Sequence, residues 1–326
     1  MRRRDLIKGI AGSAIVWPLA ARAQQPAMPV VGFLHSGLRA EYTHLVTGFQ
    51  HGMEEAGYVG GQNVAIEYRW ADGHYDRLPT LATELIQRHV TVIAALGGDP
   101  SVIAAKAATT SVPIVFASGT DPVKLGLVAS LNRPGGNLTG VSLLSSPLLT
   151  KQLQLLREVI PTATTIGFLA NPDNPNTETR AREMQEAVDV MGLKLVVQPA
   201  RSEDEFEAAF AAVRQRASLL IIPADPFFTN WRDRLVTLAA RYALPTCYPF
   251  REYAIVGGLM SYGTSLVDAY RLVGVYAGRI LKGEQPADLP VQQSTRVEFV
   301  INLQTAKALG LIFTLPLLGR ADEVIE

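Results

Sequence analysis

The amino-acid sequence predicts an α/β protein of two similar, Rossmann-like lobes, each built on a parallel β-sheet. Short apolar runs alternate with segments of helical apolar spacing from residue 29 to about residue 250, a pattern typical of consecutive βαβ units. A turn-rich segment at residues 132–137 (NRPGGN) interrupts the alternation near its middle. The length of 326 residues also favours two domains over one. We therefore expect helices on both faces of two separate sheets.

The first run predicts five strands with three helices between them. The strands are expected at residues 30–34, 64–70, 90–96, 114–116 and 138–143. Residues 64–70 alternate apolar and polar side chains, the period of a half-buried strand, whereas 90–96 form a continuous apolar run typical of a buried one. Apolar residues at helical spacing, such as Leu45, Phe49 and Met53, predict the first of the intervening helices.

The second run begins near residue 146 with a helix carrying Leu149, Leu153 and Leu156. Strands are expected at residues 165–169, 193–197, 219–222 and 245–250, with helices between them. The alternation then loosens. The remaining elements are a strand within 257–263, a helix at 265–281, an extended segment at 291–300 and a last helix that ends at Gly310.

The first 23 residues are typical of an export leader. Basic residues at positions 2–4 and 8 precede an apolar stretch at 9–20, and Ala21-Arg22-Ala23 offers the small-residue pattern cut by a signal peptidase. The stretch has 12 residues, whereas a membrane-spanning helix needs about 20. Residues 3–8 (RRDLIK) resemble a twin-arginine signal. We expect cleavage near Ala23-Gln24 and a periplasmic protein, in a compartment without a ready supply of NAD or ATP.

Composition and motifs exclude several classes of function. Removing the leader leaves 25 basic against 29 acidic residues, a net charge of −4, which argues against binding to nucleic acid or an anionic membrane. The single Cys247 excludes an internal disulfide. The sequence lacks both glycine-rich phosphate-binding motifs, G-x-G-x-x-G and G-x-x-x-x-G-K-S/T. It also has no histidine spacing typical of a metal site and no recognisable nucleophile–base pair. We therefore expect no cofactor, no metal and no catalytic residue.

The predicted strand ends carry small, mostly uncharged polar residues, and parallel sheets bind ligands at this edge. Backbone N–H groups at helix starts and the hydroxyls of Ser118 and Thr120 would suit a carboxylate, while Asp225 would face an ammonium group. The candidate ligand-binding residues are Ser36, Gly98, Asp99, Ser118, Gly119, Thr120, Asp121, Asn171, Asn174 and Asp225, with Tyr248 and Tyr262 as apolar walls. The alternative is that the polar residues are helix caps and turn formers, and that the tyrosines belong to the core.

Several segments together resemble the tryptophan/tyrosine-type family of ABC transporter substrate-binding proteins. They are residues 57–64 (GYVGGQNV), 67–71 (EYRWA), 75–79 (YDRLP), 133–141 (RPGGNLTGV), 248–252 (YPFRE), 257–263 (GGLMSYG) and 306–310 (AKALG). The resemblance implies a type I periplasmic-binding-protein fold with three crossings between the lobes. It assigns residues 28–141 and 259–284 to the first lobe and 142–258 and 285–326 to the second. The ligand would lie between lobes that close by a hinge motion.

The leading functional hypothesis is a receptor that hands a small carboxylate-bearing solute, an amino acid or an aromatic acid, to an ABC permease in the inner membrane. The expected receptor is a monomer. Two alternatives remain open from the sequence: an exported α/β enzyme, and a ligand-sensing module for a membrane sensor. The lack of a recognisable catalytic set separates the receptor from the enzyme, whereas the sensor shares the receptor's fold.

The leader can be tested separately from the rest of the chain. Residues 1–30 fused to a reporter that is active only when exported in the folded state are expected to give a periplasmic signal. The double substitution Arg3→Lys with Arg4→Lys is expected to abolish that signal, because the twin-arginine pathway reads the arginine pair. Continued export of the double variant would instead indicate the general secretory route.

Overall fold

The computed structural model describes residues 28–143 and 145–326. The predicted leader and its cleavage site at Ala23-Gln24 lie outside the described residues. Within those residues, no helix combines the length and apolar character needed to cross a membrane. The elements are numbered along the chain, and they form two α/β lobes, as the sequence predicts.

The first lobe contains a six-stranded parallel sheet with the strand order β11-β5-β4-β3-β1-β2. Its strands are β1 (Val30–His35), β2 (Ala65–Trp70), β3 (Val92–Leu96), β4 (Ile114–Ser118), β5 (Leu138–Ser142) and β11 (Gln292–Gln293). The central strands are buried because helices cover both faces of the sheet. The helices are α1 (Thr43–Glu55), α2 (Leu78–Gln87), α3 (Asp99–Ala108) and α10 (Leu266–Leu281).

The second lobe contains seven strands in the order β13-β12-β10-β9-β8-β6-β7. They are β6 (Thr165–Ala170), β7 (Lys194–Pro199), β8 (Leu219–Ile221), β9 (Thr246–Tyr248), β10 (Met260–Thr264), β12 (Val297–Asn302) and β13 (Glu323–Ile325). The β10–β12 pair is antiparallel, and the other pairs are parallel. The helices are α4 (Ser145–Val159), α5 (Thr177–Val190), α6 (Phe206–Arg216), α7 (Pro226–Asn230), α8 (Arg232–Arg241), α9 (Arg251–Ile255), α11 (Leu303–Ala308) and α12 (Leu315–Leu318).

The chain passes between the lobes three times: after β5, between β10 and α10, and between β11 and β12. The predicted lobe boundaries differ from the sheet membership at two places. Strand β10 belongs to the second sheet although residues 259–284 are assigned to the first lobe, and β11 pairs with β5 although 285–326 are assigned to the second. The extended segment predicted at 291–300 is therefore two strands in different sheets, because an extended pattern does not specify which sheet it joins.

Helices α1 and α10 pack against each other over one face of the first sheet, and glycines allow their backbones to approach closely. A Cβ atom built on Gly274 would lie 2.1 Å from the carbonyl oxygen of Phe49, and one on Gly52 would lie 1.8 Å from that of Arg271. A larger residue at either position would force the two helices apart. The contact matters for the cleft because α10 also carries side chains that line it.

Replacing Gly274 by alanine is expected to destabilise the protein by about 1–3 kcal/mol, because the methyl group overpacks the α1–α10 contact. Urea unfolding would measure the loss. The matched control is Gly136→Ala, since a Cβ there meets no atom within 4 Å. Equal stability of the two variants would show that the helices can separate without cost.

Candidate ligand-binding site

The carboxyl ends of strands from both sheets face each other across a cleft, and the cleft encloses a chamber between the lobes. The first lobe lines it with Tyr42, Gly97, Gly98, Asp99, Ala117, Gly119, Leu266 and Tyr270. The crossing after β5 and the second lobe add Leu143, Asn174, Arg180, Ala224, Asp225, Pro226, Thr229 and Phe250. Five of the residues predicted at strand ends are therefore chamber residues: Gly98, Asp99, Gly119, Asn174 and Asp225.

Asp99 is the polar centre of the first lobe's side of the chamber. It is the first residue of α3 and is 2% exposed. Its carboxylate accepts hydrogen bonds from Ser118 Oγ at 2.6 Å, Thr120 Oγ1 at 2.7 Å and the Gly119 N–H at 3.1 Å. The sequence predicts these donors to bind a ligand's carboxylate. In the structure they bind Asp99 instead, because β3 and β4 are neighbours and their following loops meet.

Asp99 also receives groups from the second lobe. The side-chain amide of Asn176 donates to its Oδ2 atom, and the Arg180 guanidinium lies 3.8 Å from the same oxygen. Arg180 belongs to the first turn of α5, and its side chain is 11% exposed. Among the described residues that line the chamber, it is the only basic one. Sequence reasoning missed Arg180, since the pattern does not show that this helix face meets the other lobe.

Asp225 holds the corresponding position in the second lobe and is the N-cap of α7. Its Oδ1 accepts the backbone N–H groups of Phe227 and Phe228, at 2.8 and 3.2 Å. The side chains of Asn174, at 2.7 Å, and Asn171, at 3.3 Å, donate to the carboxylate as well. Burial raises the pKa of Asp225, and these donors partly oppose the shift. Asp225 is therefore a helix cap, as the alternative proposed, and a chamber residue at the same time.

A hydrogen-bond relay orients the Tyr270 hydroxyl on α10. The backbone N–H of Gly37 donates to His35 Nδ1 at 2.8 Å, so the proton of a neutral imidazole lies on Nε2. That proton is donated to the Tyr270 oxygen at 2.7 Å, which leaves the tyrosine O–H as a donor. Burial lowers the pKa of His35 to about 3 and raises that of Tyr270, so both groups are neutral near pH 7.

The remaining predicted residues lie outside the chamber lining. Ser36 donates to the Gly97 carbonyl and so supports the loop after β3. Asp121 is exposed and accepts the N–H of Val123, as a turn residue does. Tyr248 is buried and stacks on Tyr253 with 4.8 Å between ring centroids. Tyr262 packs edge-on against Phe299, so the prediction that the two tyrosines form the chamber wall is not supported.

The two lobes are closed on each other in this structure. Arg232 of the second lobe pairs with Glu41 of the first at 2.6 Å, and the backbone N–H of Leu38 donates to Asn230 at 3.1 Å. Gly98 permits this approach: its φ is +88°, and a Cβ atom there would lie 2.9 Å from the Pro226 ring. These contacts hold the two lobes together beside the chamber.

Two α/β lobes closed over a polar and aromatic chamber are the architecture of a protein that binds a small molecule between its lobes. The chain belongs to the family of ABC transporter substrate binding proteins, whose family model matches residues 35–325. Members of this family bind solutes rather than transform them, so the chain is a binding protein and not an enzyme. The fold is that of the type I periplasmic binding proteins, as the resemblance implies.

Three known proteins illustrate the similarity. The chain is 26% identical over 264 residues to a tyrosine-binding protein of Clostridioides difficile, covering 81% of this chain and 76% of the relative. It superposes with a TM-score of 0.84, at 25% identity, on an ABC domain from Streptococcus pneumoniae in complex with L-Trp. On a ligand-free, open substrate-binding protein from Clostridium difficile it superposes with a TM-score of 0.67, at 24% identity. Both superpositions cover 91% of this chain and 99% of the other, so the present structure is more similar to the ligand-bound domain.

Thr120→Val tests whether the Thr120 hydroxyl serves Asp99. Loss of a hydrogen bond to a buried carboxylate is expected to lower the free energy of unfolding by about 1.5–3 kcal/mol without any ligand present. Urea denaturation measures this change. Thr237→Val is the control, because Thr237 is exposed and donates only within its own helix. Unchanged stability together with weaker solute binding would favour the original prediction that this hydroxyl contacts the ligand.

Proposed function

We propose that this chain is the extracytoplasmic receptor of an ABC importer and that it binds an α-amino acid in the chamber between its lobes. The observation that carries the proposal is the arrangement of charges around that chamber. One guanidinium, Arg180, and two buried carboxylates, Asp99 and Asp225, line the same space. A molecule with both a carboxylate and an ammonium group complements this set.

The ligand's carboxylate is assigned to Arg180 and Tyr270. The nearest carboxylate oxygen to Arg180 belongs to Asp99 and, at 3.8 Å, lies beyond hydrogen-bond distance. A guanidinium favours bidentate contact with a carboxylate. Tyr270 supplies a second donor from the opposite lobe, because His35 already donates to its oxygen. A carboxylate held by both groups would link the lobes and favour the closed state.

The ligand's ammonium group is assigned to the carboxylate side of the chamber, formed by Asp99 and Asp225. The lining has two carboxyl groups against one guanidinium, an excess of acidic over basic groups that favours a ligand that brings a cation. A nearby ammonium would also stabilise the ionised form of Asp225, opposing the effect of burial on its pKa.

The remaining walls suit an apolar or aromatic side chain. Tyr42, Leu143, Phe250 and Leu266 contribute apolar surface from both lobes. An aromatic amino acid would bury its ring against such surface. The relatives agree with this assignment, since one is a tyrosine-binding protein and another is a domain in complex with L-Trp. The closed, loaded receptor would then be recognised by the permease, and the predicted leader would place it outside the cytoplasm.

Calorimetry on the chain lacking its leader tests the assignment of Arg180. We expect L-tryptophan or L-tyrosine to bind without being consumed, and Arg180→Met to weaken binding about 10- to 150-fold, as expected for a hydrogen-bonded charge. The matched control is Arg182→Met, because Arg182 is exposed on the same helix and lies outside the chamber lining. Its affinity is expected to equal that of the natural chain.

A second ligand separates the carboxylate contact from other effects. Tryptamine lacks the carboxylate of tryptophan, so it is expected to bind weakly to the natural chain and equally weakly to Arg180→Met. Failure of all standard amino acids to bind, or turnover of the ligand over hours, would refute the proposed function. A full loss of affinity for tryptamine in Arg180→Met would instead mean that Arg180 acts by supporting the fold of the cleft.

A further inference from the structure

We infer that a side pocket next to the chamber recognises an N–H or O–H donor at the far end of the ligand's side chain, through the acceptors Gln152 and Glu183. This inference rests on the proposed function and specifies it: among amino acids of similar shape, the receptor would select those whose side chain ends in a hydrogen-bond donor.

The side pocket adjoins the chamber within the second lobe. Arg180, Ala224 and Phe250 line both spaces, so the pocket begins where these residues end the chamber wall, within reach of a ligand side chain that extends towards them. Gln152 of α4 and Glu183 of α5 form part of its wall. The volume of the pocket is about 20 Å³, which accommodates a single polar group or one water molecule.

The side-chain amide of Gln152 presents its oxygen as an acceptor, because the Tyr262 carbonyl sets the orientation of the amide. The residue is 3% exposed, and its side-chain amide lies 2.7 Å from the backbone carbonyl oxygen of Tyr262. A carbonyl accepts hydrogen bonds, so the amide nitrogen must face it and the amide oxygen must face away. That oxygen, Oε1, is buried and has no hydrogen-bond partner among the described residues.

Glu183 supplies a second acceptor with the same property. It follows Arg180 by three residues, which places both on one face of α5. Its Oε2 atom is buried and also lacks a partner among the described residues. A carboxylate oxygen and an amide oxygen are both acceptors, so they cannot hydrogen-bond to each other, and a donor brought by a ligand would complement both. Buried acceptors are normally paired, and a ligand that brings a donor would meet this requirement.

The test compares ligands that differ by one donor. In the first pair, L-tyrosine has a hydroxyl that L-phenylalanine lacks. In the second pair, L-tryptophan has an indole N–H that is methylated in 1-methyl-L-tryptophan. Calorimetry on the natural chain is expected to show at least one pair in which the donor-bearing ligand binds about tenfold tighter, as expected for one buried hydrogen bond. Gln152→Met and Glu183→Met are each expected to bring this ratio towards one by weakening the donor-bearing ligand alone.

Glu186→Met is the matched control, since Glu186 is exposed on α5 and lines only the open groove beside the cleft, whereas Glu183 lines both that groove and the side pocket. It is expected to leave the ratio unchanged. If Gln152→Met does not fold, because the bond to Tyr262 is lost, Glu183→Met decides the question. Two results would overturn this inference and preserve the proposed function. In the first, amino acids bind tightly but the affinity ratio of donor-bearing to donor-free ligand is near one in both pairs. In the second, this ratio differs from one but stays unchanged in both Gln152→Met and Glu183→Met; in either case the side pocket would hold water only. Failure of every amino acid to bind would refute both the proposed function and this inference.

Discussion

The buried carboxylate of Asp99 is the group on which the rest of the cleft depends. A carboxylate that is 2% exposed must be compensated by donors, because burying an uncompensated charge is very costly. The last residue of β4 and the loop after it supply two hydroxyls and a backbone N–H, which determines the shape of that loop. Asn176 and Arg180 approach from the other lobe. The Asp99 carboxylate therefore holds the carboxyl-end loops of the first lobe together, and it also contacts the second lobe when the cleft is closed.

This arrangement is the reason why the proposed contacts to the ligand's carboxylate come from helices rather than from strand-end loops. The hydroxyls of Ser118 and Thr120 are already donated to Asp99, and the amides of Asn171 and Asn174 to Asp225. Parallel strand ends bring polar groups together, but neighbouring loops then satisfy one another. Arg180 and the Tyr270 hydroxyl, the donors proposed to hold the ligand's carboxylate, lie on α5 and α10, one in each lobe. Closure is what places them around a common space.

The division of the chain between the lobes shows where local patterns stop being informative. Alternating strand and helix patterns indicated most strands to within a few residues, since apolar periodicity is a local property. Membership of a sheet is not local. Residues 291–300 form a single extended pattern, yet β11 pairs with β5 in one sheet and β12 with β10 in the other. The strand β10 likewise joins the second sheet just before the chain crosses back to α10.

The sequence by itself determined the two-lobed α/β fold, the family and the strand ends at which the cleft forms. It did so because strand order along the chain places Gly98, Asp99, Gly119, Asn174 and Asp225 at the carboxyl edges of parallel sheets. Only the tertiary structure decided which partners these residues have. Tyr248, a predicted wall, stacks on Tyr253, whereas Arg180 and Tyr270 enter the chamber without a sequence signal. The physical reason is that hydrogen-bond pairing and helix-face orientation depend on contacts between segments far apart in the chain, which no local pattern records.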